Sequence, residues 1–454
     1  MSCTKKLWPK CTDYKRIIMD KALKEIENVV GAKYLSTGDQ TLSSYRVDFK
    51  IPTAVIYPGT ETEISEIIKI CSAYKLSLTP YGNGTKISTG NIPTKLDLVL
   101  STSRLDKFVE HGSDDLIATG QAGITLQEFQ SVLKKKNQQL AAHPPNLREG
   151  CTLGGMINTN DYGPSRLRYG SVKENLLALK FLRADGRIVK GGAKVVKNVA
   201  GYDIPKLITG SLGTLGIITE ATFRLYPLQP ASNTIIAYIN DITQINEINN
   251  KILNSDTLLT CFEICNKGLS DGKRTSFYAI KIENVAPAVQ AQTIHLQNLL
   301  GNHDIKKQDV LTGSDETEFW DKATNFYWQG NTVDNMSLRI RVQLKHIPEI
   351  INIVEDINIR TKSGLKMSSG AGLGIININL TNEPGILKNA YVLISKKLMT
   401  LEGHITILRA PEEMKRDIDI WGKSDGTTLN IMREIKHQFD PANILNPGRF
   451  AGWI

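Results

Sequence analysis

Apolar residues recur at helical spacing twice in the N-terminal half of the chain. Thr60 and Glu63 have capping-box spacing, and Ile64, Ile67, Ile68 and Cys71 then share one helix face. Thr125 and Glu128 repeat the device ahead of Leu126, Phe129 and Leu133, and that helix runs out in the lysines at 134–136, favoured at the negative end of a helix dipole. Elsewhere the period drops to two. Leu76 to Thr79, LDLVL at 96–100 and Leu116 to Ala118 read as short strands. LLALKFLRADGRIVKGG, from Leu176, alternates, turns at Asp185-Gly186 and alternates again, which is a hairpin pattern. ITEATFRLYPL, 218–228, is a further strand, and Pro227 and Pro230 after it mark a domain boundary. In SLRIRVQL, 337–344, Leu338, Ile340, Val342 and Leu344 take one face while Arg339, Arg341 and Gln343 take the other, so a sheet with one basic face is expected.

A chain of 454 residues with 41% hydrophobic content supports two or three domains with real cores. The N-terminal MSCTKKLWPKCTDYKR is basic with no apolar run behind it, and no stretch approaches the roughly 18 apolar residues of a membrane span, so a cytoplasmic location is expected, compatible with peripheral membrane association. The cysteines at 3, 11, 71, 151, 261 and 265 contain no C-x-x-C pair and suit a reducing compartment. Cys261 and Cys265 read as packing residues or, less simply, as thiol ligands. Lys plus Arg exceed Asp plus Glu by 55 to 46, a net charge of +9 that favours an anionic ligand, an acidic partner or a membrane face. Nucleic acid is not expected, because the basic residues are dispersed and aromatics are 7%.

The candidate chemistry lies in three glycine-rich stretches: PYGNGTKISTG at 80–90, TLGGMINTNDYGPSRLRYG at 152–170 and GSLGTLGIITE at 210–220. Glycine admits positive φ and close backbone approach, and successive free N–H groups form an anion nest, although each stretch alone also reads as a surface turn. Neither a G-x-x-x-x-G-K-[ST] loop nor a G-x-G-x-x-G fingerprint is present. Three such loops, each near a strand end, can close round one elongated polyanion, and a dinucleotide has that shape.

These motifs, with VVKNVAGYD, DIWG and FDPANILNPGRF, resemble the FAD-binding oxidoreductases of the vanillyl-alcohol oxidase or PCMH type, and within them the FAD-binding E subunit of glycolate oxidase and D-lactate dehydrogenase-like proteins. The resemblance runs from about Val47 to the C-terminus. It implies an α+β fold: a PCMH-type FAD-binding domain of two α/β subdomains over 1–227 with an N-terminal helical extension, a substrate or cap domain with an antiparallel sheet over 228–410, and a segment, 411–454, returning to the FAD domain. Pro80, Tyr81, Gly82, Asn83, Gly84, Thr85 and Lys86 then hold FAD together with Thr152, Gly154, Gly155, Asn158 and Asn160, and with Gly213, Thr214, Gly216, Ile217 and Ile218. Lys197, Asn198 and Tyr202 border the flavin or serve as a core connector. Some relatives attach FAD through a His or Cys; Lys86 follows Thr85 here, so noncovalent FAD is expected, with His111 and His143 as ordinary surface or loop residues.

The resemblance implies an FAD-dependent dehydrogenase for a small anionic 2-hydroxy acid, glycolate or D-lactate in kind, passing electrons to a partner protein or quinone chain. The alternative is a non-catalytic FAD-binding subunit beside an iron–sulfur subunit and a paralogous flavoprotein subunit. A hydroxy-acid anion needs a cation for its carboxylate and a base for its hydroxyl. Arg339 resembles the first in position and His404, in LEGHITILRAP, the second; a surface arginine and a packed histidine are the plain alternatives. Metal-using relatives carry a G-H-x-G-D-G-N-x-H segment, whereas SSGAGLGIININ at 368–379 has Gly370 and Asn377 where the two histidines fall, so no metal is expected.

Overall fold

The computed structural model describes residues 11–195, 201–266, 269, 276–303, 305, 307–330, 333–362 and 364–454. Lys197 and Asn198 lie outside the described residues. Thr60 opens the helix Glu61–Tyr74 by accepting from the Glu63 N–H at 3.1 Å, while the Glu63 carboxylate turns to the Gly59 N–H instead of closing the box. Thr125 and Glu128 complete both halves ahead of the helix Leu126–Lys134.

Three sheets organise the chain. In the first, β1 (Leu35–Ser36), β2 (Ala54–Ile56), β3 (Leu78–Tyr81) and β4 (Leu98–Ser101) lie in the order β1-β2-β4-β3, with β2, β4 and β3 parallel. Ile64, Ile67, Ile68 and Cys71 bury against it with Ala54, Ile56, Leu78, Leu98 and Leu100. The strand expected at Leu76 to Thr79 begins at Leu78 and runs on into Pro80 and Tyr81. The cause is the left-handed helix exit at Lys75, φ 55°, after which the Leu76 N–H still donates to the Cys71 carbonyl. The later start carries the strand straight into the glycine loop.

The second sheet is antiparallel. Strands β5 (Phe108–Gly112) and β6 (Ile117–Gln121) are followed by the short β7 (Gln138–Gln139), then β8 (Leu176–Leu182), β9 (Ile188–Gly192) and β10 (Ile217–Arg224); the sheet order is β5-β6-β10-β8-β9. The β8–β9 hairpin turns through Gly186 at φ 78°, as its Asp-Gly pair demands. β11 (Tyr226–Pro227) pairs with β7 and closes this part of the chain.

The third sheet holds eight antiparallel strands: β12 (Ala231–Tyr238), β13 (Leu259–Cys265), β14 (Phe277–Asn284), β15 (Gln308–Leu311), β16 (Asn335–Arg341), β17 (Lys366–Gly370), β18 (Ile375–Thr381) and β19 (His404–Arg409), in the order β15-β12-β14-β13-β17-β18-β16-β19. One face packs Leu338, Ile340, Met367, Ile376 and Ile378 against the helices Ala286–Gly301, Ile347–Thr361 and Pro384–Thr400. The other face carries Glu263, Ser337, Arg339, Ser368 and Asn377 and turns toward the first two sheets: Arg168 donates to the Glu283 carbonyl at 2.6 Å, and Arg339 reaches Asp161. The strand expected over 337–344 stops at Arg341. Val342 donates to the Gly374 carbonyl, and the chain coils into the turn Leu344–His346, so Val342 and Leu344 leave the sheet.

The C-terminal helix Gly426–Phe439 and the tail beyond it return to the first two sheets, with Ile444 and Leu445 in the first core and Leu445 bridging to Leu78. Lys436 fixes the return: its buried ammonium pairs with Asp440 at 2.6 Å and donates to the Thr214 and Leu445 carbonyls. Cys71, Cys151, Cys261 and Cys265 are buried and free. Among the described residues no helix is long and apolar enough to cross a membrane.

Candidate active site

The end of β3, the loop after it and the helix Leu153–Thr159 enclose a cleft of about 690 Å³, lined by Pro80 through Lys86 and by Thr152, Gly154, Gly155, Asn158 and Ile218. Glycine is obligatory here for space. A Cβ on Gly82 would fall 2.4 Å from the Thr152 hydroxyl, and one on Gly84 would fall 2.0 Å from the Tyr81 hydroxyl. Gly213 has φ 72°, and its Cβ would overlap Pro80 at 2.4 Å. Asn158 ties this third loop to the second, accepting from the Gly213 N–H at 3.1 Å.

Gly213, Thr214, Gly216, Ile217 and Asn160 stand outside the lining. Gly216 packs on Phe181, Ile217 lies in the first core, and the Thr214 hydroxyl donates to the Ser211 carbonyl. Tyr202 is 92% exposed, away from the cleft. His111 bonds to Gln138 and half-buried His143 to Ser165. Sequence reasoning passed over Asn446 and Arg449, which line the cleft from the returning tail. Asn446 bonds to Thr79 and the Leu212 carbonyl; Arg449 pairs with Asp48 at 3.1 Å and donates to the Asn91 carbonyl at 2.7 Å and to the Ile87 and Thr89 carbonyls. Their signal was present in NPGR, read only as part of a closing motif.

A cleft of backbone N–H groups and small polar side chains, whose glycines leave room that a Cβ would fill, fits an elongated phosphate-bearing ligand. Lys86 seals its inner end. The Lys86 ammonium sits 2.8 Å from Asp161 and 3.7 Å from the centre of the Trp328 ring, and the Trp328 Nε1–H donates to the Thr85 carbonyl. Burial lowers the Lys86 pKa and Asp161 partly restores it.

Asp161 is also where the third sheet arrives. Arg339, buried on β16, donates through Nε to Asn377 Oδ1 at 2.9 Å and through Nη2 to the Tyr327 hydroxyl at 3.2 Å and Asp161 at 3.4 Å. Burial opposes its charge, but Tyr162, Tyr327 and Asp161 more than compensate and raise its pKa. Beyond this pair lies a small recess lined by Tyr162, Glu263, Tyr327, Ser368 and Asn377 among others. Glu263 accepts from Ser368 at 2.6 Å, and burial pushes its pKa up to about 8. His404 is not at this junction. In the β16–β19 register Thr406 faces Arg339, and half-buried His404 faces Arg341; burial and Arg341 lower its pKa. Among the described residues no three His, Cys, Asp or Glu side chains come together as an ion-holding group.

A glycine-lined cleft, met by the polar face of an antiparallel sheet that carries a buried arginine, is an arrangement that suits a nucleotide-bearing redox cofactor. Residues 52–192 match the FAD binding domain family, and residues 421–450 match the C-terminal domain of FAD linked oxidases. The chain is 28% identical over 425 residues to glycolate oxidase subunit GlcD of Bacillus subtilis, covering 88% of this chain and 89% of that protein. It is 37% identical over 183 residues to D-lactate dehydrogenase of Archaeoglobus fulgidus, 40% of either chain. In fold it is similar to p-cresol methylhydroxylase with substrate bound, with a TM-score of 0.75 at 12% identity over 96% of this chain and 97% of that one. The chain thus carries an FAD binding domain and the C-terminal domain of FAD linked oxidases, on a fold similar to that of p-cresol methylhydroxylase.

Proposed function

We propose that this protein is a dehydrogenase for a small 2-hydroxy acid, glycolate or D-lactate in kind, which hands its electrons to a partner protein or quinone chain. The observation that carries the proposal is Arg339, a buried guanidinium on the sheet face that meets Asp161 and Tyr162 at the inner end of the FAD cleft. The names of the Bacillus and Archaeoglobus relatives support the substrate class. Bound FAD supplies a two-electron acceptor. The loop at 80–86, Thr152 to Asn158 and the Asn446–Arg449 tail would hold it, and the third loop, Gly213 to Ile218, braces that set. Lys86 stands in the loop where some relatives carry a linking residue, so FAD is held without a covalent bond; acid precipitation should leave the yellow colour in the supernatant.

Arg339 orients the acid by its carboxylate, with Tyr327 and Asn377 fixing the guanidinium plane. His404, the expected proton acceptor, stands neutral beside Arg341 at the outer end of the same face. Anaerobic mixing of the purified yellow protein with a panel of 2-hydroxy acids tests the reading. Bleaching by a short-chain acid is expected, and no bleaching by any of them overturns it. A second reading, a non-catalytic FAD-binding subunit, is favoured by one feature: Arg339 is already neutralised by Asp161. An unbleached flavin would select that reading.

A further inference from the structure

Tyr162 has a role that the proposed reaction leaves open. Its side chain is 6% exposed, and its buried hydroxyl faces Arg341 and has no other hydrogen-bond partner. The residue lines the small recess one position from Asp161, which reaches both Lys86 of the glycine loop and Arg339 of the sheet. Two guanidinium groups lie over its ring, Arg166 at 4.1 Å and Arg339 at 4.5 Å. Tyr327 donates to the Tyr162 carbonyl and so fixes the backbone beneath.

Burial alone would raise the phenol's pKa, yet Arg339, Arg166 and Arg341 outweigh it and hold the group below the ordinary tyrosine range. The other titratable groups at the recess are Asp161, Tyr327 and Glu263. Glu263 stays protonated below about pH 8, so it adds no opposing charge at neutrality.

We infer that Tyr162, rather than His404, takes the proton of the substrate hydroxyl. The inference rests on the 2-hydroxy-acid reading. In this step the substrate O–H bond breaks, a phenol O–H bond forms on Tyr162, and the negative charge moves from the phenolate to the substrate oxygen beside Arg339. Only a proton moves; the electron pair of the C–H bond is for the cofactor to accept. The phenolate is restored by loss of the proton to solvent.

Tyr162→Phe keeps the ring between the two arginines and removes only the oxygen. In the yellow holoprotein it should slow anaerobic flavin reduction by about 100-fold or more, with FAD content and substrate dissociation constant unchanged. The parent rate should rise with pH through an ionisation below the ordinary tyrosine range, and the variant should lose that rise. An independent readout is the ultraviolet difference titration of parent minus variant, expected to show one tyrosinate forming early. A variant reduced as fast as the parent, a variant that keeps the parent's pH profile, or a titration without the early tyrosinate overturns the inference alone. A parent that no 2-hydroxy acid reduces overturns the functional reading and this inference with it.

Discussion

The FAD cleft and the sheet face that covers it are built from opposite materials. The cleft depends on backbone: Gly82, Gly84 and Gly154 clear the space, Gly213 packs against Pro80 from outside, and Thr85, Thr152 and Asn158 stand among them. The sheet face is side chain: Arg339, Tyr327, Asn377, Glu263 and Ser368 form bonded sets whose members come from five separate segments. A backbone site tolerates no added bulk but needs no particular charge. A side-chain site tolerates conservative bulk but depends on each charge and hydrogen bond. Asp161 belongs to both, pairing Lys86 on one side and Arg339 on the other.

The strongest way to break the cleft leaves the glycines alone. Asp48 holds Lys415 at 2.6 Å and Arg449 at 3.1 Å, all three buried, and so pins the tail that lines the cleft. Asp48→Asn keeps a residue comfortable at φ 51° but strands two buried cations, at a cost of about 3–5 kcal/mol. Denaturant unfolding should show a loss of that size, accompanied by loss of flavin. Next is Gly213→Val, which combines a left-handed φ with overlap on Pro80 for a cost of about 3 kcal/mol. Its flavin-to-protein absorbance ratio should fall while the hydrogen-exchange protection of the third sheet stays native.

Arg339→Lys sharpens the contrast from the other side. The charge survives and the planar fork does not, so substrate affinity should weaken by roughly 1.5–3 kcal/mol with FAD content unchanged. Equal substrate dependence in parent and variant would remove Arg339 from the site. The smallest effect is a pH slope. Glu263 has its pKa raised from 4.5 to about 8, so between those values the folded protein binds a proton that the unfolded chain has lost. Its contribution is full below 4.5 and drains away as pH rises toward 8, by at most about 1.4 kcal/mol per pH unit. Glu263→Gln should flatten that part of the stability profile; an unchanged slope would show that the carboxyl is solvated.

Sequence reading succeeded where the determinants were local. Capping at Thr125, the Asp185-Gly186 hairpin and the glycine loops each depend on residues a few positions apart, and so does the alternation that gives β16 one apolar and one basic face. It failed where partners were distant. Nothing near Arg339 signals that its face is buried against Asp161, 178 positions away, and nothing near Tyr162 signals a buried hydroxyl set among three arginines. His404 shows the limit: its strand and composition suit a base, but the register that sets it opposite Arg341 belongs to the sheet. By itself the sequence determined where the close-packed glycine loops fall, because steric permission and φ are properties of single residues. Which charges meet above those loops was decided only by the tertiary structure, because pairing, burial and the shifted pKa values they cause exist only once remote strands share one sheet.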